Sequence, residues 1–262
     1  MGETIQNRSL IAYFILAYLI SWCVGVPLAL AHQGIIPQIL PAWAHYFVAY
    51  GPMLSALIVT GMSRGVPGLK DLGGRMVRRA YPKWWFVALS PLLAGYVVLL
   101  IQNLFRAERL VFSELGSVNF LGQLGYWALP LWTFTFGFGE ETGWRGFALP
   151  ELQRGRSAFS ATMILAGVWA LWHLPQFFYV FELSIAAVGW LISLFAGAIV
   201  LTWLYNSSGA SILMVAIWHA CFNFVSASTA ETGILPLAVS ALVIFAAITI
   251  LKRTDPKILV SR

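Results

Sequence analysis

Charge is scarce in this chain. Asp, Glu, Lys and Arg make up 10% of its 262 residues, against about 25% in an ordinary soluble domain. With 60% hydrophobic residues and a mean hydropathy of +0.80, a water-soluble globular domain is excluded and an integral membrane protein is expected. Cysteine is nearly absent. Cys23 and Cys221 both sit in apolar runs, so no disulfide framework or paired-cysteine metal site is implied. Aspartate is limited to Asp71 and Asp255, both outside the apolar runs, which excludes an aspartyl dyad within the membrane. The chain has no helical His-Glu-x-x-His, and Gly209-Ala210-Ser211-Ile212 does not supply the Gly-x-Ser-Gly of a rhomboid-type serine nucleophile. Repeats, low-complexity tracts and any segment polar enough for a second soluble domain are also missing.

What is present is a series of eight apolar runs, at 10–31, 44–62, 84–104, 121–143, 158–181, 185–205, 212–227 and 234–251. Their lengths approach or exceed the ~20 residues that cross a bilayer as helix, and none alternates like a barrel strand. The expected fold is all-α, a polytopic bundle of about eight transmembrane helices forming a single membrane domain over 1–262. The first run, preceded by Arg8 and ending in Ala29-Leu30-Ala31, resembles a secretory signal but exceeds the ~7 to 15 residues of a signal core, so a retained helix is expected.

The net charge of +6 sorts by loop and does not call for nucleic acid. With eight helices, 14 of the 16 basic residues fall on one side, leaving Arg106 and Arg109 opposite. The positive-inside rule then puts both termini and the loop after helix 4 in the cytoplasm, in the plasma membrane if the source is prokaryotic. The longest cytoplasmic connection, 64–82, holds Gly65, Pro67, Gly68, Gly73 and Gly74, which are expected to break any long helix. Trp43, Tyr46, Trp84, Trp85 and Tyr205 lie near run ends and are read as headgroup-zone anchors.

Against this background the stretch Gly139-Glu140-Glu141-Thr142-Gly143-Trp144-Arg145 is costly. A charged side chain deep in a bilayer costs about 2.5 to 3.5 kcal/mol on insertion scales, so such groups are usually functional. Glu141 and Arg145 stand at i and i+4 and can neutralise each other, which leaves Glu140 facing other neighbours. Helices 4 and 5 should form a hairpin turning at Arg154-Gly155-Arg156. That turn lies midway between Glu140 and His173, so equal helical arms bring the two to one depth. His219 and Asn223 share a face of helix 7. His32 and His45, around the first non-cytoplasmic connection, are expected to be interfacial.

In that order, Glu140-Glu141-x-x-x-Arg145, Trp169-x-x-x-His173 and His219-x-x-x-Asn223 resemble the three signature motifs of the CPBP family, which comprises type II CAAX prenyl endopeptidases (Ras-converting enzymes) and bacteriocin-processing or Abi proteins. The motif region runs over about 121–227. Trp169 stands where the family usually has Phe. The resemblance implies an intramembrane endopeptidase in which Glu140 and His173 activate water and His219 and Asn223 stabilise the oxyanion. Glu141, Arg145 and Trp169 then support them. The family has been described both as metal-independent glutamate proteases and as metalloproteases. No cofactor is preferred here, because Asn223 is a poor zinc ligand; Zn2+ on Glu140, His173 and His219 is the alternative. The implied partners are the lipid bilayer and a peptide or prenylated protein substrate. A non-proteolytic immunity or scaffold protein is a second reading, and a proton-coupled transporter a third, though no broken helices repeat in the two halves.

Overall fold

The computed structural model describes residues 2–106, 109–118, 121–181, 186–227 and 234–261, with 2–7 and Ala186 as backbone only. Parts of the connection at 105–120 and the start of the sixth apolar run, at 185, therefore lie outside the described residues. Eight principal helices follow the eight runs: α1 Gly2–His32, α2 Tyr50–Met76, α3 Pro82–Asn103, α4 (128–153), α5 Ala158–Trp172, α6 Ala186–Ser207, α7 Ile212–Ser226 and α8 Ile234–Arg253. Among the described residues six helical segments are long and apolar enough to cross a membrane, among them Arg8–His32, Ala42–Met76 and Ala158–Phe178. α7 is shorter, at 15 residues. The fold is the expected polytopic helical bundle.

Several boundaries differ from expectation. The fourth run opens as a two-stranded antiparallel hairpin, β1 Ser117–Val118 against β2 Gly122–Gln123, and only becomes helical at Ala128. The loop after the second run is largely helical, for α2 reaches Met76 and is interrupted only at Gly65, with φ 59° and ψ −157°. Gly68, Gly73 and Gly74 stay within the helix because tertiary contacts outweigh their low propensity. Arg75 is one such contact. It is buried, donates to the Gly146 carbonyl at 2.8 Å and to the Tyr205 hydroxyl at 2.7 Å, and pairs with Asp71. Tyr205 and Trp84 are thus buried core residues, not headgroup anchors, whereas Trp43 is exposed.

The helix ends near the motifs are defined by side chains. Ser157 and Ser211 cap α5 and α7, accepting from the backbone N–H of Ser160 and Met214, which satisfies donors the first turn leaves unpaired. α5 stops at Trp172, and Pro175 opens a tighter 3-10 turn over Leu174–Phe178. α4 is the irregular element, since it passes through π-helix at Thr133–Glu140 and again at Trp144–Ala148. Such wide turns are rare and concentrate at functional sites.

Candidate active site

The site begins with two glycines. A Cβ on Gly139 would lie 2.6 Å from the Ala49 carbonyl, and one on Gly137 would lie 2.6 Å from that of Ala216. The α4 backbone therefore touches the start of α2 on one side and α7 on the other, which no larger residue would permit. Between apolar helices in lipid this close contact is the main attraction, because no hydrophobic gain drives their association. Since His219 follows Ala216 by three residues, the same contact brings His219 level with Glu140 and Glu141.

Glu141 and Arg145 form the expected i,i+4 ion pair, 2.8 Å long and fully buried on both sides. Glu141 does more than support Arg145, however. Its Oε1 also lies 2.9 Å from Nδ1 of His219. A carboxylate oxygen here meets two nitrogens from two helices, and the pair welds α4 to α7. Glu141 Oε2 and Arg145 Nε and Nη2 make no hydrogen bond among the described residues. Losing either member would leave a buried uncompensated charge, at a cost of about 3–5 kcal/mol.

Trp169 lies at the centre. Its indole Nε1 donates to Glu140 Oε2 at 2.8 Å. The Arg145 guanidinium carbon sits 4.6 Å from its ring centroid, a cation–π arrangement favoured where water is excluded. His219 meets the same ring edge-on at 5.5 Å, and His173 stands 5.6 Å away. One side chain from α5 therefore touches all three motifs.

His173 does not lie within α5 as expected but caps its C-terminus. The last carbonyls of a helix have no intrahelical partner, and the Trp169 carbonyl is taken by His173 Nδ1 at 2.7 Å. A carbonyl only accepts, so Nδ1 carries the hydrogen and, in the neutral ring, Nε2 carries the lone pair. Trp172 and Trp190 enclose the ring at 4.9 and 5.1 Å. Among the described residues no hydrogen bond joins Glu140 to His173. The depth match is real only in that both reach Trp169, and the Glu140 partner is the indole. His219 and Asn223 do share a face, but His219 bonds Glu141, while the half-buried Asn223 side chain makes no hydrogen bond among the described residues.

His45 departs most from the sequence reading. It is buried, with Nδ1 2.9 Å from the Tyr179 hydroxyl and its ring 5.6 Å from Phe136, one turn before Glu140. His32 is exposed, as expected of an interfacial residue. No periodic signal marked His45, because it sits in a short segment, His45–Val48, whose place depends on packing against α4.

Among the described residues no group of three or more His, Cys, Asp or Glu could hold a metal ion. Nδ1 of His173 and of His219 and one Glu140 oxygen are committed to protein partners, which leaves Nε2 of each ring and the second Glu140 oxygen without a hydrogen bond among the described residues.

Residues 122–225 match the family described as type II CAAX prenyl endopeptidase Rce1-like. Through this region the chain resembles that family. All three motifs, and the whole Trp169-centred cluster except His45, fall inside the matched span. Over 122 residues the chain is 30% identical to CAAX prenyl protease 2 of Methanococcus maripaludis, a match covering 40% of this chain and 45% of that relative. The match thus spans less than half the length of this relative.

Proposed function

We propose that the protein is an intramembrane endopeptidase that hydrolyses a peptide bond near the C-terminus of a lipid-modified or membrane-embedded peptide, of the CAAX type that its relative's name denotes. The observation that carries this reading is the convergence of one carboxylate and two oriented imidazoles on a single buried indole. Attack of water on an amide needs a base for its proton and preorganised donors for the oxyanion. Glu140 is suited to the first task. One of its oxygens is anchored by Trp169 and the other can receive a proton from water. His173, with Nδ1–H committed to the Trp169 carbonyl, offers Nε2 as a second acceptor that orients the same water.

The oxyanion falls to the α7 side. The Asn223 amide, one turn beyond His219 and without a hydrogen bond among the described residues, is a donor from the same helix face. His219 gives Nδ1–H to Glu141, so when the ring carries its second proton Nε2–H also points a donor at the developing charge. In this reading Glu141 and Arg145 hold His219 in place and touch no substrate. Removing one oxyanion donor typically costs about 10²–10³ in rate.

The test is cleavage of a farnesylated CAAX peptide by the purified protein in liposomes, comparing wild type with Glu140→Ala, His173→Ala and His219→Ala. Each variant should express and insert but fail to cleave. Undiminished turnover by Glu140→Ala overturns the assignment. Absence of cleavage by wild type, with bacteriocin tolerance unaffected by Glu140→Ala, would favour a non-proteolytic immunity role.

A further inference from the structure

A cavity of about 700 Å³ is lined by α3 and α8, with Val200 and Trp203 of α6 and Trp218 of α7 completing its wall. Its long walls are apolar, formed by Val87, Pro91 and Ala94 on α3 and by Val243, Ala246 and Ile250 on α8. Both helices are among the membrane-crossing segments, and Leu242 and Phe245 at its lip are exposed. The opening therefore faces the acyl region. An unfilled apolar crevice there forfeits dispersion contacts on every wall.

One end of the crevice is polar, at Arg253, Thr254 and Ser261. Arg253 is exposed and has no ion pair or hydrogen bond among the described residues. The segment 258–261 walls this end, tied to α6 by the Asn206 amide donating to the Ile258 carbonyl at 2.9 Å and by the Ser261 N–H donating to the Ser207 hydroxyl at 2.8 Å. On its other side a second cavity, about 470 Å³, is lined by Arg156 and Lys257. The neighbouring carboxylate, Asp255, accepts the Lys257 backbone N–H. Apolar walls thus lead to a rim in which cations outnumber carboxylates, at the end of the helix where basic residues concentrate.

We propose that this crevice is a binding site for one anionic glycerophospholipid, an acyl chain lying between α3 and α8 and the phosphate meeting Arg253. Charge at the rim selects the headgroup, since a cation near the membrane surface attracts anionic lipid, while the apolar walls hold the chain without regard to headgroup. The site shares no residue with the Glu140 cluster and stands whether or not the protein is a peptidase.

The experiment is native mass spectrometry of the full chain in mild detergent, with phosphatidylglycerol and phosphatidylcholine of identical chains. Wild type should retain one phosphatidylglycerol in about five-fold preference over phosphatidylcholine, the preference expected of one cation at the surface. Arg253→Gln, at an exposed position, should keep lipid but lose the preference. Ala246→Phe, which fills the crevice, should retain neither lipid. Equal retention of the two lipids by wild type, an undiminished preference in Arg253→Gln, or a dimer that forms in place of lipid retention each overturns the proposal.

Discussion

The indole N–H of Trp169 donates to Glu140 Oε2 at 2.8 Å, so the supporting residue of the second motif supplies the first motif's carboxylate with its hydrogen-bond donor. Phenylalanine, which the resemblance leads one to expect there, has no such donor. Trp169→Phe should therefore keep the ring packed beneath Arg145 while leaving a buried carboxylate oxygen unsatisfied, at a cost of about 1–3 kcal/mol. Peptide cleavage should show a lower kcat with little change in KM, and the melting temperature should fall. An unaltered kcat would mean that the indole N–H does not position Glu140.

Glu141 sits between Arg145 and His219. Arg145→Met and Glu141→Gln should each destabilise the protein by about 3–5 kcal/mol, because each strands a buried charge. The double variant should recover much of that stability yet remain inactive, since His219 would still lack the carboxylate that orients it. Thermal unfolding in detergent separates the two effects from cleavage.

Gly139→Ala places a methyl carbon 2.6 Å from the Ala49 carbonyl, and overpacking of this kind costs about 1–3 kcal/mol. The shift would fall on Glu140, the next residue, so cleavage should drop more than stability does. Gly155→Ala is the control. A Cβ there meets nothing within 4 Å, and the variant should behave as wild type.

Metal dependence separates a glutamate-type from a metal-dependent peptidase, and the reading in which Glu140 is the base expects no metal. Dialysis against EDTA or 1,10-phenanthroline should leave cleavage undiminished, and elemental analysis should find zinc well below one per chain. Loss of cleavage restored by zinc would assign the free Nε2 atoms of His173 and His219 and the free Glu140 oxygen to a metal.

Much of the fold was legible in the sequence. Apolar runs of bilayer length dictate helices because the backbone can satisfy its own polar groups there in no other local way, and among the described residues each of the eight runs is mainly helical, the fourth only after its opening hairpin. Within the site, the Glu141–Arg145 pair was also legible, since a spacing of four residues on one helix fixes proximity regardless of what surrounds it. The positions of α5 and α7 relative to α4 were not. Those depend on Gly137 and Gly139 admitting neighbouring backbones, on two π-helical stretches that alter the register of α4, and on Pro175 ending α5 just after His173. Hence the sequence alone determined a charged cluster buried in a helical membrane bundle and the residue types within it. Only the tertiary structure decided that Glu140 answers to Trp169, that Glu141 answers to His219 as well as Arg145, and that His45 is buried beside them. Contacts between crossing helices are set by the packing of whole surfaces and not by any spacing along the chain.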